Sequence, residues 1–76
     1  MKKYYEIIKE LREDSEPKKS QTEVGKECGM SQRKLSFIES GITEPKLKDL
    51  IALCKYFNVS ADYILGLPEN MPYPKR

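Results

Sequence analysis

Residues 21–39 read QTEVGKECGMSQRKLSFIE, and this stretch decides the fold. Ser20, just ahead of it, is a helix N-cap whose hydroxyl accepts an orphan amide, and Glu23 completes a capping box. Val24 and Cys28 lie one turn apart on the inward face. Gly29 ends the helix, since glycine takes the left-handed conformation at no steric cost. Ser31 restarts the chain as a second N-cap, Leu35 and Ile38 face inward, and Gly41 terminates. The stretch therefore asks for a helix of about eight residues, a tight turn and a second short helix. Two helices joined this closely cross steeply, so a small residue is needed at the crossing. Gly25 occupies that contact, although glycine costs ~1 kcal/mol against alanine inside a helix. Val24, Cys28, Met30, Leu35 and Ile38 seal the angle, which specifies a helix-turn-helix.

Outward from this unit, Tyr4, Ile7, Ile8 and Leu11 form the stripe of an amphipathic helix that stops near Asp14 and Ser15. Pro17 disfavours helical geometry at the residue before it, so Asp14 to Lys19 reads as a loop. On the other side, Ile42 to Pro45 is a turn. Leu47, Leu50, Ile51, Cys54 and Phe57 then give the clearest helical stripe, ended by Asn58. Ser60 opens a short last helix through Leu65, with Asp62 in its first turn, and Gly66 closes it. Tyr4, Tyr5 and Tyr56 read as core or snorkelling residues. No strand pattern, repeat or low-complexity segment competes. The predicted fold is all-α, about five short helices, with one domain over 1–66 and a proline-rich tail over 67–76 that is extended or loose.

Composition narrows the chemistry. The 76 residues are 38% hydrophobic and 34% charged, and 14 Lys/Arg against 12 Asp/Glu leave a net charge of +2. A chain this short buries only ~60% of its unfolded surface, which allows one thin core and no deep enclosed pocket. No apolar run approaches the ~18 residues of a membrane span, and the lysine-rich start lacks the apolar stretch of a signal peptide. Two cysteines and no histidine fit a reducing compartment, so a cytoplasmic location is expected. Without histidine there is no Ser-His-Asp or Cys-His arrangement and no imidazole metal ligand. Cys28 and Cys54 form no CxxC pair, and the four glycines are scattered singly, so neither a zinc site nor a phosphate loop is expected. The expectation is a protein without catalytic residues, metal or cofactor.

The outer face of the second helix in the unit carries Ser31, Gln32, Arg33, Lys34, Ser36, Phe37 and Ser40. It holds donors, acceptors, one aromatic and no acid, while Glu39 lies toward the inner side. Two cations without an anion point to a polyanionic partner. Arginine can bond guanine bidentately, glutamine can bond adenine, and an apolar side chain can meet the thymine methyl.

Ser20-Gln21-x-Glu23-Val24-Gly25, Gly29-Met30-Ser31-Gln32 and Leu35-Ser36-x-Ile38-Glu39-x-Gly41 together resemble the Cro/cI-type (lambda-repressor-like, XRE) DNA-binding domain. Glu44-Pro45, Leu50, Phe57-Asn58-Val59-Ser60 and Asp62-Tyr63-Ile64-Leu65-Gly66 match its closing pattern, so the resemblance runs from Ile7 to Gly66. It implies a sequence-specific transcriptional regulator of double-stranded DNA, a repressor by expectation. Gln21 would bond a phosphate and brace Gln32. Gln32 and Arg33 would be the principal base readers, with Ser36 and Phe37 further along the groove. Ser31, Lys34 and Ser40 would anchor phosphates, helped by the loop at Ile42 and Thr43. Arg12 would pair with Glu39, and Gly25 and Gly29 would be structural. The sequence departs from the pattern at Lys19, where a bulky apolar residue is usual, and at Phe37, where polar or basic residues are common. The loop between Arg12 and Ser20 is also longer, by about two residues, so the staple across the cap is absent or supplied by Pro17.

One such helix spans only a few base pairs, so a homodimer on a near-palindromic operator is expected, with Tyr63, Ile64 and Leu67 as its surface. The alternative is an antitoxin or adaptor-type protein-binding module on the same fold. The low net charge and an exposed Phe37 favour it.

Overall fold

In the computed structural model, which describes residues 2–68, five helices follow in order: α1 (Tyr4–Glu13), α2 (Gln21–Glu27), α3 (Gln32–Glu39), α4 (Leu47–Phe57) and α5 (Ala61–Leu65). No strand occurs among the described residues. The three serine caps form as the sequence requires. Ser20 Oγ accepts from Glu23 N at 3.1 Å while Glu23 Oε1 accepts from Ser20 N at 3.2 Å, and Ser31 and Ser60 accept from Lys34 N and Tyr63 N. Asn58 ends α4 in the left-handed conformation at φ 56°, and Gly66 ends α5 at φ 73°. Most of the proline-rich tail, residues 69–76, lies outside the described residues.

Gly25 stands at the α2–α3 crossing. A Cβ there would lie 2.7 Å from the Met30 carbonyl oxygen, closer than van der Waals contact permits. The Met30 amide donates to the Gly25 carbonyl at 2.8 Å, so the missing side chain is what lets the turn close on the helix. Gly29 carries the positive φ of +76° in that turn, directly after Cys28, the C-cap of α2.

Ile8, Val24, Met30, Leu35, Ile38, Leu53 and Ile64 make the buried core, with Leu11, Leu50, Cys54 and Phe57 packed around it. α2 packs against α3, and α1 bridges α3 and α5. Two expectations change here. The inward stripe of α4 is centred on Leu53, while Leu47 and Ile51 are 73% and 46% exposed. Apolar residues at 47, 50, 51, 53, 54 and 57 leave α4 with two overlapping stripes, and the return of α5 against α4 selects the one through Leu53. Ile64 is fully buried, so it cannot share a surface with Tyr63 and Leu67, which are exposed. Successive helical residues point about 100° apart, and on a helix as short as α5 only one face meets the core. No helix among the described residues is long and apolar enough to cross a membrane.

Candidate nucleic-acid interface

Arg12 on α1 and Glu39 at the end of α3 are both buried. Arg12 Nε donates to Glu39 Oε2 at 2.8 Å and Nη2 donates to Oε1 at 2.9 Å. The third arm, Nη1, donates to the Lys19 carbonyl at 3.0 Å and ties the long α1–α2 loop to the same guanidinium. Hydrogen bonding to Glu39 raises the pKa of Arg12, against the opposing effect of burial. Glu39 Oε1 also accepts Gln21 Nε2 at 3.0 Å, and Gln21 Oε1 accepts Gln32 Nε2 at 2.7 Å. A continuous polar line thus runs from α1 through both ends of α3. Gln21 must present its NH₂ to the carboxylate, which leaves its carbonyl for Gln32. Gln32, itself exposed, keeps its carbonyl and one N–H for the solvent side.

Arg33 lies next to it, also exposed, with its guanidinium carbon 5.4 Å from the centroid of the Phe37 ring, a cation–π contact. Phe37 is 36% exposed. Ser36 is half-buried, and its carbonyl accepts the hydroxyl of Ser40 at 2.9 Å. Ser31 caps α3 through Lys34 N. The amides of Ile42 and Thr43 both donate to the Phe37 carbonyl, at 3.0 and 3.3 Å, which folds the following loop onto the end of α3. Gln21, Ser31, Gln32, Arg33, Phe37 and Ser40 therefore gather around one helix. Lys34 is placed differently. Its Nζ sits 2.9 Å from Asp49 Oδ2, at the start of α4.

Asp49 is a residue that sequence reasoning missed. It is 2% exposed and its Oδ2 also accepts the Lys46 amide at 3.1 Å, capping α4. Burial pushes its carboxyl up, but the hydrogen bonds from Lys34 and the Lys46 amide outweigh that and hold it below the usual range. An acid at the third position of a helix that opens just after Pro45 was the available signal. The partnership of Arg12 with the Lys19 carbonyl had no such signal. Burial raises the thiols of Cys28 and Cys54, which makes them poor nucleophiles at neutral pH. No group of His, Cys, Asp and Glu among the described residues could hold a metal ion.

A tightly joined helix pair closed on a glycine, with the second helix braced at both ends and showing a polar outer face, defines a lambda-repressor-like helix-turn-helix domain. The Helix-turn-helix family profile matches residues 8–64, most of the chain, and the protein belongs to this family in its cI/XRE form. Among solved structures the chain is similar to the P22 c2 repressor protein, crystallised in complex with synthetic operator 9T in the presence of Tl+. The two are 34% identical, with a TM-score of 0.78 over 86% of this chain and 96% of the repressor chain. Comparison with curated protein sequences finds no match.

Proposed function

We propose that the protein is a sequence-specific transcriptional regulator, a repressor that binds double-stranded DNA as a homodimer on a near-palindromic operator. The observation that carries this reading is the line Arg12–Glu39–Gln21–Gln32, which fixes the N-terminal end of α3 before any partner arrives. The free carbonyl and N–H of Gln32 suit the N6–H and N7 edge of adenine, and Arg33 suits guanine O6 and N7. Phe37 carries the Arg33 guanidinium on its face and leaves its edge for a thymine methyl, with Ser36 beside it. Gln21, Ser31, Ser40 and Thr43 supply neutral phosphate partners that set register without reading sequence. Similarity to a repressor crystallised on its operator supports the same class of partner. Tyr63, Leu65 and Leu67, exposed on and after α5, are the apolar surface for the second copy.

The test is selection from a randomised duplex pool at near-physiological salt, with Arg33→Ala in parallel. Two enriched inverted half-sites about one helical turn apart, altered at one position by the variant, are expected. Absence of enrichment, with weak binding that fades steeply with salt, refutes the reading. The exposed Leu47 and Ile51 favour a second reading, a protein-binding antitoxin or adaptor. In that case a partner co-purifies and DNA affinity stays at ~10⁻⁴–10⁻⁶ M.

A further inference from the structure

We infer that Asp49 is a positioning residue that limits sequence-independent binding: it holds the Lys34 ammonium and keeps that charge out of the attraction to phosphate. The inference rests on the DNA-binding reading above. Lys34 stands among the candidate contacts at the start of α3, where a free ammonium would add to binding on any duplex. Its Nζ instead lies 2.9 Å from Asp49 Oδ2. The Asp49 side chain is only 3% exposed and is fixed a second time by the Lys46 amide, so it cannot follow Lys34 toward a phosphate. A phosphate that drew Lys34 away would leave a buried carboxylate without its counter-charge, which the interior resists. The pair is neutral as seen from the groove. What the duplex meets is then Gln32 and Arg33, which read bases, in preference to a lysine that reads only charge.

Each phosphate neutralised by a lysine steepens the dependence of log K on log salt by ~0.9 and strengthens binding roughly fivefold at 0.15 M salt relative to 1 M. The full chain is titrated onto a random-sequence duplex of about 20 base pairs by fluorescence anisotropy, between roughly 50 and 200 mM salt, with thermal melts confirming folding. Lys34→Met is expected to leave the wild-type slope unchanged, because that charge is already spent on Asp49. Asp49→Asn, which keeps the acceptor for the Lys46 amide, is expected to steepen the slope by ~0.9 and tighten random-duplex binding about fivefold. Adding Lys34→Met to Asp49→Asn returns both to wild type. Glu13→Gln, the same change in net charge on exposed α1, leaves the slope where it was. A slope flattened by ~0.9 in Lys34→Met alone overturns the inference, and so does an Asp49→Asn slope equal to wild type. If Asp49→Asn does not fold, Asp49→Ser, which keeps a capping oxygen for the Lys46 amide, takes its place with the same expected slope. A wild-type chain that binds no duplex at any salt removes the DNA-binding reading and the inference with it, whereas binding with unaltered slopes overturns the inference alone.

Discussion

Arg12 and Glu39 are 27 residues apart in sequence and meet through two hydrogen bonds of 2.8 and 2.9 Å inside the domain. The same carboxylate anchors Gln21, and Gln21 anchors Gln32, so one ion pair both joins α1 to α3 and orients the polar end of α3. Removing one partner of a buried pair costs ~3–5 kcal/mol, because the other charge is left without compensation. Arg12→Ala should therefore bring a domain of this size close to unfolding in a urea titration. Arg12→Met/Glu39→Leu should recover most of that stability, since apolar side chains of similar volume replace a buried pair at little cost. The double variant should still lose sequence preference, as Gln21 no longer has its acceptor. Recovery of both stability and preference together would show that the pair only holds the fold.

At Gly25 the crossing itself can be tested. Alanine would gain ~1 kcal/mol of helix propensity but place a Cβ 2.7 Å from the Met30 carbonyl. The clashing atom is backbone, and the amide of the same residue is hydrogen-bonded to the Gly25 carbonyl, so it has little room to move. Gly25→Ala should destabilise by ~1–3 kcal/mol despite the better propensity. Gly29→Ala meets no atom within 4 Å and bears only the cost of its φ of +76°, ~1–2 kcal/mol. Chemical denaturation of the two variants should rank Gly25→Ala as the worse, and the reverse order would remove the crossing argument.

The division between what was legible in the sequence and what was not follows the range of the interactions. Caps and turns are local, and Ser20, Ser31, Ser60, Gly29 and Asn58 stand where their chemistry places them. The stripe of α4 is local as a period but not as a phase. Leu47 and Ile51 fit the period as well as Leu53 does, and only the packing of α5 separates them. Ile64 illustrates the same point on a helix too short to show a stripe. The Arg12–Glu39 pair was accessible through a family resemblance, whereas Lys34–Asp49 and Arg12 with the Lys19 carbonyl join residues that only the folded chain brings together.

Phe37 and Arg33 stack at 5.4 Å on the outer face of α3, so their contributions to DNA binding should be coupled. A cation–π contact at an exposed site is worth ~0.5–1 kcal/mol. Phe37→Leu, which keeps apolar bulk but removes the ring face, should weaken operator binding about two- to fivefold and relax preference at the position Arg33 reads. In an Arg33→Ala background the same change should add little, and a double-mutant cycle measures the difference. Fully additive effects, with preference lost at a different base pair, would make Phe37 a base contact in its own right.

Acid should weaken the link between α3 and α4 before neutral pH has any effect on it. The Asp49 carboxyl is held below its ordinary range despite burial, by hydrogen bonds from Lys34 and the Lys46 amide, with Lys48 on its own helix assisting. Cys28, near it at the C-cap of α2, has a thiol pushed up by burial and stays neutral throughout acid titration. A carboxyl that ionises more readily in the folded chain than in the unfolded one contributes stability above its unfolded pKa, ~3.9. That contribution is fully present at neutral pH and is lost as pH falls below about 4 and through the lowered folded value. Urea titrations from pH 7 down to about pH 2.5 should show wild type losing more stability than Asp49→Asn, with the two curves parallel above pH 5. Other carboxylates titrate in both proteins and cancel in the difference. Curves that stay parallel to the lowest pH would mean that the folded chain does not favour ionised Asp49, and the Lys34 pair would then have no thermodynamic weight.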